Sequence, residues 1–187
     1  MSLPEISRYY FTVAEFERMG EAGVFMKDAR LELIEGEIIE MSPIGSRHAA
    51  CVKFLSRFLN QTVGDIALVS TQDPIRLNDF SEPEPDLALL RLRDDFYRDA
   101  HPTPADVLLI IEVADTTLAY DRQVKVPLYA KAGVAEVWVI NLPEDQIEVY
   151  AEPTGGTYQT VFNFRRGDEA RAHTVANLTV SVAAVLG

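Results

Sequence analysis

The chain has little cysteine, few basic residues for its length and no long apolar run. Its 187 residues include one cysteine, Cys51, and a lone thiol cannot close an internal disulfide. Cys51 falls on an apolar helical face with nothing nearby to lower its pKa, so it reads as a small buried hydrophobe and not as a nucleophile. No stretch approaches the roughly 20 apolar residues that a membrane-spanning helix needs. Met1 to Phe11 carries no basic stretch followed by an apolar run, so no secretory signal is expected and the chain reads as cytoplasmic. Lys and Arg number 17 against 29 Asp and Glu, a net charge of −12. Such a chain repels nucleic acid unless basic side chains are locally concentrated or a partner supplies them.

What is present is ordinary globular composition, 48% hydrophobic and 25% charged, at a length that suits one domain over residues 1–187. There is no repeat, low-complexity tract or dividing linker. Thr12 followed by Glu15 has the pattern of a capping box, opening a helix over Val13 to Met19. In LELIEGEIIEMSP, two β-prone segments flank Glu35-Gly36, a tight-hairpin signal. Ser46 reads as an N-cap. The helix after it places His48, Val52, Leu55 and Leu59 on one face and ends near Gly64. Ile66 to Leu77 reads as a strand, Asn78 to Pro85 as a loop and Asp86 to Arg91 as a short strand. Asp94 to Pro104 reads as a loop, with room for a helical turn. Val107 to Val113 is apolar on both faces, as in a central strand. A helix is expected over Tyr120 to Ala132, disturbed at Pro127 and closed by Gly133. A strand follows at Ala135 to Asn141, then a hairpin over Gln146 to Phe164 turning at Gly155-Gly156. A last apolar piece runs from Leu178 to Leu186. The helix between two strands forms a crossover unit against the sheet.

Glu112 is the most informative residue. A carboxylate in an otherwise aliphatic strand is costly unless it is paired, protonated or bound to a metal. Asp86 opens the preceding strand, so the two carboxylates can face one pocket. Hard cations such as Mg²⁺ or Mn²⁺ take such oxygen ligands, completed by water and phosphate. Lys125, with Asp121 one turn earlier, can point across the sheet toward Glu112 and stabilise charge developing on a phosphate. For Lys125 and Asp121 the alternative is a surface ion pair. His48 is either a satisfied helix-end histidine or an accessory ligand. Glu32, Glu35, Glu37 and Glu40 form an acidic hairpin in which Glu35 or Glu37 is an accessory candidate for the pocket.

These residues carry a resemblance. ELIEGEIIEMSPIGSRH, EPDLALL, LLIIEVADTT and DRQVKVPLYAKAGVAEVWVIN, with the closing hairpin, resemble the Uma-type family of restriction-endonuclease-like bacterial proteins, a branch of the PD-(D/E)XK nuclease superfamily. The resemblance implies an α/β fold with a mixed sheet flanked by helices, extended at its edges by the N-terminal and C-terminal hairpins. It assigns Asp86 and Glu112 to the two metal-binding acids. The superfamily lysine should stand two residues after the second acid, where this chain has Ala114, and the resemblance transfers its role to Lys125. The implied activity is Mg²⁺- or Mn²⁺-dependent hydrolysis of DNA phosphodiester bonds, with Lys53, Arg57, Arg91, Arg93 and Arg122 as candidate phosphate contacts. Two alternatives stand beside it: a nuclease fold that no longer cuts and serves as an interaction or assembly module, and hydrolysis of another phosphorylated ligand. DNA is the expected partner, and a homodimer is left open.

Overall fold

The computed structural model describes residues 7–187. Residues 1–6 lie outside that description, and with them most of the segment read for a secretory signal. Thr12 caps α1 (Val13–Glu21) as its sequence requires. Its hydroxyl accepts from the Glu15 N–H while the Glu15 carboxylate accepts from the Thr12 N–H.

Strands β1 (Leu31–Ile34) and β2 (Glu37–Glu40) meet at Glu35-Gly36, where φ is 48° and 82°. Two positive φ values make the hairpin turn whose twist matches its strands. A Cβ on Gly36 would stand 2.6 Å from the Tyr10 Cβ, so glycine alone fits there. This hairpin does not extend the main sheet, which corrects the expectation from sequence. It forms a two-stranded sheet of its own, bridged from Leu33 to Glu82. The reason is burial: Glu32, Leu33 and Ile34 are all enclosed, and Ile34 packs over a sheet face with Ala88, Ile110 and Val137.

Helix α2 (Ser46–Val63) buries Cys51, Val52, Leu55, Leu59 and Val63. Ser46 is its first residue and not its cap; Gly45 holds that position without a side-chain bond. Strand β3 (Leu68–Thr71) is much shorter than the expected Ile66 to Leu77. It stops because Gln72 takes φ 55°, outside the strand region, and Ile75 and Leu77 then donate to the carbonyls of Pro83 and Ser81.

Strands β4 (Leu87–Leu90), β5 (Val107–Ala114), β6 (Glu136–Asn141), β7 (Gln146–Thr154) and β8 (Thr157–Arg165) complete a six-stranded sheet in the order β3-β4-β5-β6-β7-β8. Only β5 and β6 run parallel; every other neighbour pair is antiparallel. A parallel step needs a crossover. It is supplied by α3 (Leu118–Tyr120), a wide π turn over Asp121–Lys125, and α4 (Val126–Ala132). Helical structure thus starts before the expected Tyr120. The disturbance assigned to Pro127 falls just ahead of it. Pro127 cannot donate to a carbonyl one turn back, and the preceding Val126 N–H reaches the Asp121 carbonyl in the π register. Gly133, at φ 81°, closes α4 as expected. The β7–β8 hairpin does lengthen the sheet. Beyond it, β9 (Glu169–Arg171) and β10 (Thr179–Ser181) pair separately, and α5 (Val182–Leu186) follows.

The mixed α/β architecture agrees with the sequence reading. One sheet face packs Leu109, Ile111 and Val113 against α2 and α5; the other packs Ile110 and Ala114 against α4. No helix among the described residues is long and apolar enough to cross a membrane.

Candidate functional site

Strand alternation places Glu112 between Ile110 and Ala114, on the face covered by α4. Asp86 immediately precedes β4, which is the antiparallel neighbour of β5, with Leu87 opposite Ile111. Both carboxylates therefore reach one cleft at the end of the sheet, a cavity of about 450 Å³ that Lys125, Asp121 and His48 also line. Of the residues singled out in sequence, these five are brought together.

Lys125 is 4% exposed. Its Nζ stands 3.2 Å from Glu112 Oε1 and 3.1 Å from Glu32 Oε2. The surface ion pair with Asp121 does not form; Asp121 is buried and accepts a 2.7 Å bond from the Thr117 hydroxyl. Lys125 ends the π turn, and like Asp121 four residues earlier it faces inward to the cleft. Glu112 Oε1 also accepts from the Tyr129 hydroxyl at 2.6 Å, so both contacts fall on one of its oxygens.

Asp86 is held from both layers. Its Oδ2 accepts the Val113 N–H at 2.9 Å and lies 3.0 Å from His48 Nε2; its Oδ1 accepts from Gln72 at 3.1 Å. His48 belongs to the helix on the opposite face, yet its place in the first turn of α2 lets it reach the strand end. His48 Nδ1 is buried without a partner, as is the Tyr120 hydroxyl in the wall of the same cleft.

Sequence reasoning missed four contributors. Glu32, not Glu35 or Glu37, is the hairpin acid at the site. Glu35 lies outside, paired with Lys131, and Glu37 lies outside, paired with Arg8. Spacing alone did not decide which hairpin acid lines the pocket, and β1 is covered on both faces at Glu32. Tyr129 was hidden among apolar helix residues, and Gln72 in a segment read as strand. Glu84 lines the cleft two residues before Asp86. Of the proposed phosphate contacts, Arg122 is committed to Glu148 and Glu144, Arg93 to Asp95, and Arg91 to the Ala105 carbonyl. Lys53 and Arg57 remain exposed on α2.

The cleft is strongly acidic. Glu32, Glu40, Glu84, Asp86, Glu112, Asp115 and Asp121 face only Arg30, Lys125 and His48. Burial pushes Glu112 up to about 8, with Lys125 opposing. Burial likewise raises Asp121 and Glu84. For Asp86 burial acts upward too, but His48, the Val113 N–H and Gln72 outweigh it and hold the carboxyl below its usual range. For Lys125 burial acts against the charge, and Glu112, Glu32 and Asp121 overcome it, so the ammonium is raised and stays charged. Two neighbouring carboxylates are thus pulled apart in pKa by their surroundings, a pattern of functional sites.

This donor set fits a hard divalent cation. The ligating atoms are carboxylate oxygens, negative charge is in surplus, and the Oε2 of Glu112 carries neither the Lys125 nor the Tyr129 contact. Among the described residues no three His, Cys, Asp or Glu side chains form a preassembled ligand cluster, so such an ion would rely on Asp86, Glu112 and water.

The sequence profile of the Uma2 family, described as "Putative restriction endonuclease", matches residues 13–183. The chain belongs to this family. The family match spans both acids, the π turn and the closing β7–β8 hairpin. A crystal structure described as a "putative nuclease belonging to DUF820" from Anabaena variabilis ATCC 29413 superposes with a TM-score of 0.72 at 18% identity, covering 94% of this chain and 97% of that one. At that identity the likeness concerns the fold. No curated protein sequence matches the chain.

Proposed function

We propose that this Uma2-family protein is a metal-dependent nuclease that hydrolyses DNA phosphodiester bonds at the Asp86–Glu112 cleft. The observation that carries the reading is the buried Lys125 ammonium, 3.2 Å from Glu112 in a cleft that also holds Asp86. In this reading Lys125 takes the place of the lysine missing at Ala114. The family description and the neighbour's title support nuclease chemistry.

In this reading Asp86 and Glu112 hold Mg²⁺ or Mn²⁺, which when bound neutralises phosphate charge. Asp86 is preset for that task by His48, Gln72 and the Val113 N–H, which fix its orientation and keep it ionised. Tyr129 fixes Glu112 through Oε1. Lys125 places a permanent positive charge beside the cleft, where it stabilises the charge that builds on the phosphate oxygens during displacement. Glu32 is a positioning residue: it holds the ammonium from the far side so that the lysine does not fold wholly onto Glu112.

Two observations favour a second reading, an interaction module that no longer cuts. Both Asp86 oxygens are already hydrogen-bonded, and the cleft's acidic surplus repels a phosphate until a cation enters. The test is cleavage of plasmid, single-stranded DNA and small phosphodiesters by the purified chain in Mn²⁺, with Asp86→Asn as control. Metal-dependent DNA cleavage lost in the variant supports the nuclease. Cleavage of small phosphodiesters alone moves the substrate to another phosphorylated ligand, and no cleavage with any substrate favours the module.

A further inference from the structure

The two edges of the main sheet differ. β3 is four residues long and lies beside α2, whereas β8 is nine residues long. At about 3.4 Å per residue, β8 offers about 30 Å of main chain. It bonds to β7 on one side, and no described strand pairs with its other side. Sheet edges are usually protected by brevity, proline, a bulge or charge. β8 has none of these along its central length: Thr157 to Phe164 contains no proline and no charged residue, in a chain of net charge −12. Val161 and Phe162, both on this strand, are 48% and 40% exposed.

We infer that β8 is a homodimer interface, with two copies of this chain joining their β8 strands antiparallel into one continuous sheet. The strand is suited to meet its own copy. Pairing centred on Val161 sets Val161 opposite Val161, Thr160 opposite Phe162, Gln159 opposite Asn163 and Tyr158 opposite Phe164. No like charges meet, and aromatic and β-branched side chains become cross-strand neighbours. The occupant is a second copy because the strand is self-complementary about Val161 and its uncharged Thr157 to Phe164 lets two chains of net charge −12 meet with no like charges opposed along that run. The two-fold axis of an antiparallel pair is perpendicular to the sheet. The α4 faces of both copies, with their clefts, therefore lie on the same side of the joined sheet. This interface is independent of whether the cleft cuts DNA.

Sedimentation equilibrium on the full chain tests it. Wild type at tens of micromolar is expected at twice the chain mass. Val161→Lys and Val161→Glu each place like charges opposite one another at the two-fold axis, and each alone is expected at the chain mass. An equimolar mixture of the two variants is expected to return to twice the chain mass, because unlike charges then meet. That rescue also shows that both variants are folded. A monomeric wild type overturns the inference. A dimer that persists in both single variants places the interface elsewhere, and a mixture that stays monomeric overturns the Val161-centred pairing.

Discussion

Lys125 is held between two buried carboxylates, with its Nζ 3.1 Å from Glu32 on the N-terminal hairpin and 3.2 Å from Glu112 near the end of the inner strand β5. This bridge ties a separate hairpin to the main sheet through a single side chain. It also alters what removal of the lysine should do.

A lysine on an exposed helix face could be cut to alanine with the fold intact. Here Lys125→Ala strands Glu32 and Glu112 in the interior, and breaking a buried pair in this way costs about 3–5 kcal/mol. The expected outcome is a clear fall in melting temperature together with loss of at least about 10²-fold in metal-dependent cleavage, measured below the variant's own transition. Lys131, more than half exposed and paired with an exposed Glu35, should tolerate alanine within about 1 kcal/mol and with activity unchanged. Full cleavage by the Lys125 variant would exclude the proposed role.

Metal binding should be weak and coupled to protons. Burial pushes the Glu112 carboxyl up to about 8, so an entering ion competes with a proton there. Mn²⁺ affinity should therefore rise as pH is raised toward 8 and level off above it. Calorimetry at neutral pH in buffers of different ionisation heat should register proton release. Asp86→Asn or Glu112→Gln should remove most of the binding, and unchanged binding in both would place the ion elsewhere.

Binding to DNA should be weak and fall steeply with salt, because it must arise from a few basic side chains against an unfavourable net charge. Lys53 and Arg57 are the exposed candidates, since Arg91, Arg93 and Arg122 are committed within the protein. Fluorescence anisotropy across a salt series should show a shallower slope for the Lys53→Ala, Arg57→Ala double variant. Tight binding that is flat in salt would contradict an electrostatic origin.

Glu148 provides a pH dependence away from the cleft. Burial acts to raise its carboxyl, but bonds from Arg122, Tyr150 and Asn141 prevail and lower it. A lowered folded-state pKa gives stability that is complete above the ordinary value of 4.5 and lost as pH falls through the folded-state value. Melting temperature followed downward from pH 6 should drop less steeply in Glu148→Gln than in wild type. Parallel curves would show that another acid governs this limb.

Several parts of this molecule were fixed by residue order alone. The capping box at Thr12, the turn at Glu35-Gly36, the aliphatic run ending in Glu112 and the glycine after α4 are local features, because each depends on the conformational limits or periodicity of a few consecutive residues. The Asp86–Glu112 pairing was legible too, since consecutive strands tend to be neighbours and a carboxylate in an aliphatic strand requires a partner. Tertiary structure decided the rest. Strand alternation could not select Glu32 over Glu35 and Glu37, because the hairpin packs over a sheet face and not beside an edge, so both sides of β1 are covered. Helical spacing directed Lys125 toward Glu112, but it did not show that the turn carrying it is a π turn or that Glu32 would hold its other side. The convergence of His48 and Gln72 on Asp86 joins elements from both layers at the end of one strand. Periodicity assigns a residue to a face; it does not tell which side chains at the ends of different elements meet, and that depends on how the layers pack.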